Sequence, residues 1–244
     1  MQIFSKRVVV VSFFLIVLLG FLLLFVIRWF FTSNKEAMTM PYDPSWIQSG
    51  NDSTQFQVVE IDDFLSEKEC QELIALATKD LQPSRVYNES EDKPDDQYRI
   101  SEQAWMKPHS NAVVQKIDDF AVKTTGRPIQ NFEELQVVRY QPGGFFSKHY
   151  DACDGAKEFC QRMDAKGGPR LWSFLIYLND DYKGGETVFP HINKTVVPKR
   201  GKLIAFRNSH DDESLIRESF HGGETVTSGN KWICNKWVRF REYL

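Results

Sequence analysis

The chain lacks an excess of charge of either sign. Thirty Lys and Arg stand against 33 Asp and Glu in 244 residues, a formal net charge of -3. Bulk electrostatics therefore leave no footprint for nucleic acid, and no nucleic-acid partner is expected. Internal repeats are also lacking, which excludes a fold read from a repeated unit. Histidine is sparse. The five residues at positions 109, 149, 191, 210 and 221 leave few ways to build a metal site on imidazoles.

Aromatic residues, by contrast, make up 14% of the chain, which suits a packed β core. The length fits one domain with an appendage. Residues 8–27, VVVVSFFLIVLLGFLLLFVI, carry no charge. Twenty such residues in a helix cover roughly 30 Å, the thickness of the bilayer hydrocarbon. A cleaved signal peptide is the rival reading, but its apolar region runs only about 7–15 residues and ends at a small-residue site. Here Arg28, Trp29, Phe30 and Phe31 follow. The expectation is a short tail (1–7), a single transmembrane signal anchor (8–31), a polar stem (32–55) and a folded domain (56–244). Lys6 and Arg7 precede the span and Arg28 and Lys35 follow it, so flanking charge sets no orientation. The short head and large tail favour a luminal domain, in the endoplasmic reticulum or Golgi. Sequons at Asn51, Asn88 and Asn193 agree with this.

In the domain, Ser66-Glu67-Lys68-Glu69 fits a capping box. Cys70, Leu73, Ile74, Ala77 and Leu81 then recur at helical spacing. Cys70 reads as a small buried apolar residue. Residues 84–98, SRVYNESEDKPDDQY, have no periodicity and read as a solvated loop or a lid over a site. A second helix spans about 110–125, with Val113, Val114, Ile117 and Phe120 near one face, and stops at Gly126. From 135 onward the texture changes. LQVVRY, FFSKHYD, LWSFLIYL, ETVFP, KLIAF and KWICNKWVRF are short apolar or alternating runs separated by Gly, Pro and Asn. Helices first and a β core after them give an α+β fold around a jelly-roll-like pair of sheets.

His149 and Asp151 are two residues apart, so on a strand they aim at one point. A facial Fe(II) site needs one more histidine and leaves positions open for substrate and oxygen. His221, 72 residues on and before Gly222-Gly223, is the candidate and reads as the end of a strand. His210-Asp211 repeats the spacing but has only His221 after it, across a charged loop. Lys231 lies ten residues beyond His221. In a strand over KWICNKWVRF it shares a face with Ile233, Asn235, Trp237 and Arg239, while Trp232, Cys234, Val238 and Phe240 take the other. A lysine on an inner face is costly unless paired, and an anionic ligand is the natural partner. The competing reading is an outward, solvated lysine.

With these residues in place, the chain resembles the prolyl 4-hydroxylases. His149-x-Asp151, His221 and Lys231 carry the resemblance, with the phrases LQVVRYQPGGFFSKHYD, LIYLNDDYKGGETVFP and FHGGETVTSGNKWICNKWVR. It covers about residues 56–244 and is strongest from 133. It implies a double-stranded β-helix with supporting helices. It also implies hydroxylation of peptidyl proline to 4-hydroxyproline with Fe(II), O2 and 2-oxoglutarate, released as succinate and CO2, with L-ascorbate as a further cofactor. His149, Asp151 and His221 would bind the metal. Lys231, helped by Thr187 and Tyr140, would hold the far carboxylate of 2-oxoglutarate. Arg99, Ser101, Glu133, Arg170 and Trp237 would line the groove for a proline-rich or collagen-like peptide, with 84–98 as its lid. A related dioxygenase acting on another residue, such as lysine, is one alternative. A non-catalytic jelly-roll binding module is another, against which the triad and Lys231 argue. The segment between Asp151 and Arg170 departs from the family pattern. There Cys153 and Cys160 form a disulfide at the rim if the domain is luminal, and stay reduced if it faces the cytosol. The sequence leaves oligomeric state open.

Overall fold

The computed structural model describes residues 56–87, 92–93, 95–153 and 158–243. In chain order, strand β1 (Val59–Ile61) leads to helix α1 (Glu67–Ala77) and to four short strands, β2 (Gln82–Pro83), β3 (Val86–Tyr87), β4 (Asp92–Lys93) and β5 (Arg99–Ile100). Then come β6 (Glu102–Met106), α2 (Ala112–Thr125), β7 (Leu135–Tyr140), β8 (Phe145–His149), α3 (Glu158–Asp164) and β9 (Arg170–Tyr177). The last part holds β10 (Lys183–Gly184), β11 (Thr187–Phe189), β12 (Lys194–Val196) and β13 (Leu203–Arg207), then β14 (His221–Gly223), β15 (Val226–Ser228) and β16 (Lys231–Arg239).

The strands assemble a seven-stranded sheet, in the order β1-β13-β9-β16-β7-β6-β2, and a five-stranded sheet, β12-β11-β14-β8-β5. Their inner faces share one core. Val138, Tyr140, Tyr177 and Ile233 of the larger sheet meet Phe189 and Val196 of the smaller. This is the jelly-roll arrangement that the alternating runs predict, and all six runs quoted above are strands.

The helices cover the opposite face of the larger sheet. Ser66 caps α1 with the reciprocal bonds of a capping box to Glu69. Asn111 caps α2 by accepting from Val113 and Val114, and Gly126 ends it at φ +67°, a conformation that favours glycine. A side-chain cap of this kind contributes about 1 kcal/mol. Phe120 of α2 packs between Phe64 and Phe174 of β9, with ring centroids 4.8 and 5.6 Å apart.

Four expectations need correction. The first helix ends at Ala77, not near Leu81, because Pro83 disfavours helical backbone just before it and the chain there turns to pair with β6. The 84–98 stretch is not simply a loop, because Val86 and Tyr87 pair with Lys93 and Asp92 in a small hairpin. The order "helices, then strands" is incomplete, because β1, β5 and β6 precede β7 and join the two sheets at or near their edges. Short, mixed-polarity edge strands give little periodic signal. His221 opens strand β14 rather than ending one, since Arg217–Ser219 form a tight 3-10 turn before it.

Among the described residues no helix is long and apolar enough to cross a membrane. The apolar run 8–27, the stem and the sequons at Asn51 and Asn88 lie outside the described residues.

Candidate active site

The site lies in an open cleft between the two sheets. His149 is the last residue of β8 and His221 the first of β14, and these strands pair antiparallel with the two histidines directly opposite. Asp151 follows two residues after His149. The ligand atoms of His149, Asp151 and His221 all lie within 4.8 Å of one another. His149 Nε2 is 3.5 Å from Asp151 Oδ1, and His221 Nε2 is 3.9 Å from Asp151 Oδ2.

Each ligand is held by a partner behind it. Nδ1 of His149 donates to the Ser147 carbonyl and Nδ1 of His221 to the Ser219 carbonyl, both at 2.8 Å. With Nδ1 so engaged, each ring turns the lone pair of Nε2 toward the shared point, the arrangement metal-binding imidazoles need. Asp151 Oδ2 accepts from Ser173 Oγ at 2.5 Å and from Trp237 Nε1 at 2.9 Å. Burial pushes the His221 pKa down to about 4, and His149 beside it adds to the shift, so the ring is neutral at physiological pH. Burial would raise the Asp151 pKa, but the pull of His221 and Arg170 outweighs it and holds the carboxyl well below its usual range. A carboxylate between two imidazoles is the donor set of a facial Fe(II) site. Aromatic rings wall it in. Phe146 stacks on His149 at 3.7 Å, and Phe189 and Phe206 flank His221 at 5.4 and 4.9 Å.

Lys231 enters the same cleft from the first position of β16. It is 3% exposed, and among the described residues no carboxylate forms an ion pair with it. Its Nζ donates to the Gly185 carbonyl at 2.6 Å and lies 5.2 and 5.7 Å from the ring centroids of Tyr140 and Tyr177. Burial lowers its pKa to about 7. Gly185 takes φ +70°, and a Cβ there would meet the Lys231 stem at 3.1 Å. A Cβ on Gly223 would stand 3.7 Å from Nζ, in space the glycine leaves open beside the ammonium. Thr187 and Tyr140 line the cleft with it, and Thr187 Oγ1 accepts from Tyr177 Oη at 2.7 Å.

Comparison with known proteins agrees with this geometry. The 2OG-Fe(II) oxygenase superfamily matches residues 135–239, which contain all four of these groups. A protein of Acanthamoeba polyphaga mimivirus that carries the name of a prolyl 4-hydroxylase is 33% identical over 184 residues, 75% of this chain and 74% of its own. Prolyl 4-hydroxylase 5 of Arabidopsis thaliana is 33% identical over 201 residues, 74% of this chain and 67% of its own. The chain belongs to the prolyl 4-hydroxylase family of 2OG-Fe(II) oxygenases. Among solved structures, the viral collagen prolyl hydroxylase of Paramecium Bursaria Chlorella virus-1, in complex with 2-oxoglutarate, superposes with a TM-score of 0.60. It is 33% identical, and the match covers 75% of this chain and 95% of that one.

The residues expected to line a peptide groove in this prolyl 4-hydroxylase relative divide into two groups. Trp237, Arg170 and Glu133 form one stack beside the metal ligands. The Arg170 guanidinium lies 3.7 Å over the Trp237 ring, with Nη1 3.7 Å from Asp151 Oδ1. Glu133 is 3% exposed and accepts from Arg170 Nε and Nη2 at 2.6 and 2.8 Å and from Arg239 Nε at 2.8 Å. With its oxygens so occupied, Glu133 supports Arg170 from below, and the expectation that it lines the groove is corrected to that role. Arg99 and Ser101 stand apart, beyond Phe146. Arg99 lies 4.5 Å over that ring and donates to Ser101 Oγ at 2.8 Å. Its Nη2 is buried with no hydrogen-bond partner among the described residues.

Sequence reasoning missed Ser173 and Tyr177 as parts of the site, and took Asn235 and Arg239 no further than the face of Lys231. Ser173 and Tyr177 did carry a signal, since a hydroxyl in the apolar run LWSFLIYL must find a partner once buried. Cys153 and Cys160 are paired as a disulfide that ties the segment after Asp151 to α3. A closed loop this short contributes roughly 2–3 kcal/mol when unstrained. The other two cysteines, Cys70 and Cys234, are free and buried, and burial raises the Cys70 pKa to about 11.

Replacing His149, Asp151 or His221 by Ala should abolish tight metal binding, whereas His210→Ala, at an exposed turn, should leave it intact. Ser173→Ala removes one of the two hydrogen bonds that Asp151 Oδ2 accepts and should weaken binding roughly 10- to 100-fold. Anaerobic Fe(II) titration measures all five variants. Tight binding retained by His221→Ala would refute the assignment.

Proposed function

We propose that the protein hydroxylates peptidyl proline at C4, with His149, Asp151 and His221 holding Fe(II) and Lys231 holding 2-oxoglutarate. The observation that carries this reading is a buried ammonium that no carboxylate pairs with among the described residues, set beside three convergent metal ligands. Lys231 would meet the far carboxylate of 2-oxoglutarate, with the Thr187 hydroxyl and Tyr140 closing around it. A charge-assisted bond of this kind suits a carboxylate in a narrow pocket. The names of the mimivirus, Arabidopsis and Chlorella-virus relatives support proline as the target residue.

The metal and cosubstrate, once bound, supply the oxidation that couples decarboxylation to succinate with hydroxylation of the peptide. The chain's own residues do the rest. The backbone carbonyls of Ser147 and Ser219 orient the two imidazoles, and Ser173 and Trp237 orient the carboxylate. Phe146, Phe189 and Phe206 keep water from the ligands. The Arg170–Trp237 stack forms the wall against which the peptide lies, and Glu133 fixes the pose of Arg170.

The luminal, membrane-anchored placement is part of the same proposal. Its support is the uncharged run 8–27, the Cys153–Cys160 disulfide and an exposed sequon residue at Asn193.

Incubation with Fe(II), 2-oxoglutarate, ascorbate and a proline-rich peptide should release succinate and add one oxygen to proline. Mass mapping checks the site, and oxygen found only on another residue type would sink the proline reading. Lys231 gives a second test, with a sign fixed by its pKa. With burial lowering its pKa to about 7, Lys231 carries its charge below that pH and loses it as pH rises above. Affinity for 2-oxoglutarate should fall as pH rises, approaching tenfold per unit above pH 7. Lys231→Arg should bind more weakly with a flat profile, and Lys231→Ala roughly 30-fold to several-thousand-fold more weakly. Calorimetric titration between pH 6.5 and 9 reads this, and a flat wild-type profile would refute it. For topology, protease added to intact microsomes carrying the full chain should leave the domain whole. Digestion there would overturn the luminal placement.

A further inference from the structure

Trp105 is 43% exposed, one of few large apolar side chains so open among the described residues. Exposure alone means little, because single exposed apolar residues are common. Its position is what matters. Cross-strand register puts Trp105 opposite Gln136 of β7, and Gln136 opposite Asn235 of β16. All three side chains stand on the face that looks into the cleft, and Asn235 lines it. The carboxamides between are locked, Asn235 Nδ2 donating to Gln136 at 3.1 Å and Gln136 Nε2 to Gln103 at 2.7 Å. They make a flat polar floor with no tall side chain. At its far end the Trp105 ring leans on Trp237, with centroids 6.3 Å apart and planes at 42°. Trp237 in turn bonds Asp151 and carries Arg170 on its face.

Trp105 therefore lies two strand spacings from Asn235, roughly 9–10 Å across the sheet. A polyproline II chain advances about 9 Å per turn of three residues and repeats the same face at that interval. We propose that Trp105 is a specificity-determining residue, the second aromatic shelf of the peptide groove. It would take an apolar ring, proline above all, one polyproline II turn along the groove from the residue that lies over Asn235. This inference rests on the peptidyl-proline reading above and adds to it a subsite and a spacing. Stacking of a proline ring on an open indole needs no hydrogen-bond donor, which suits a residue without an N–H.

The test compares a capped decaproline with a capped tripeptide whose central residue is proline, using the full chain. Wild type should turn over the decaproline with a higher kcat/KM than the tripeptide. In Trp105→Ala the decaproline KM should rise about 5- to 30-fold, the range of a truncated interface aromatic. Its advantage over the tripeptide should then disappear, and Trp105→Phe should restore most of it. In a decapeptide with a single target proline, a second proline walked through the flanking positions should lower KM at one of them for wild type but not for Trp105→Ala. An advantage that persists in Trp105→Ala beside an active wild type would overturn this inference alone. No proline-dependent turnover by wild type would overturn the inference and the reading beneath it together.

Discussion

The register of β16 is the constraint on which the rest depends. This strand runs through the middle of the larger sheet, bonded to β7 on one side and β9 on the other. Lys231 faces Tyr140, Ile233 faces Val138 and Tyr177, and Trp237 faces Ser173. Side chains alternate along a strand, so a slip of one residue would turn Lys231, Asn235 and Trp237 out of the cleft. It would put Trp232, Cys234 and Lys236 there instead. The buried Lys231 ammonium, the donor that orients Asp151 and the polar floor beside them all hang on one set of ladder bonds.

A second lysine on the same strand guards that register. Lys236 is fully buried on the helix side, and its Nζ bonds the Glu133 carbonyl and meets the Asp118 carboxylate, each at 2.7 Å. Asp118 sits on α2, and its other oxygen accepts from the His109 amide. Burial lowers the Lys236 pKa, and the charge of Asp118 works against that shift. The contrast with Lys231 is informative. One buried ammonium has its carboxylate supplied by the fold, and losing either partner would leave a charge stranded at a cost of roughly 3–5 kcal/mol. Among the described residues the other meets a backbone carbonyl and two tyrosine rings, and in the reading proposed above its anion comes with 2-oxoglutarate. Structural and functional lysines thus differ here in whether the chain provides the anion.

This distinction marks what sequence could and could not disclose. Alternation in KWICNKWVRF sorted Lys231, Asn235 and Trp237 onto one face, and the structure agrees. The same pattern puts Lys236 on the other face, but its partner Asp118 lies 118 residues before it in α2. Nothing in local spacing links them. The metal ligands were legible because His149 and Asp151 are neighbours and histidine is scarce. Glu133 was expected in the groove only through the family resemblance, and Arg170 and Arg239 enclose it. Strand β5, at an edge, and β6, next to one, were illegible for a physical reason. They are short and of mixed polarity, and pairing rather than pattern makes them strands.

The carboxylate of Asp151 connects these parts. One of its oxygens accepts from Ser173 of β9 and Trp237 of β16, so two adjacent strands of the larger sheet hold a metal ligand that follows a strand of the smaller. Arg170 touches Asp151 by its charge and Trp237 by its face, and Glu133 anchors Arg170 to Arg239. Arg239 Nη1 then bonds the carbonyls of Met163 and Gly168, around the end of α3, which the Cys153–Cys160 disulfide ties back to the Asp151 segment. The path closes into a ring of contacts around the ligand. A ring resists displacement of any one member because each is held from two sides, so a peptide pressing on Trp237 meets a wall that does not yield toward the metal. Rigidity of that kind is what a site needs if a target carbon is to be presented at a fixed distance from the ligands.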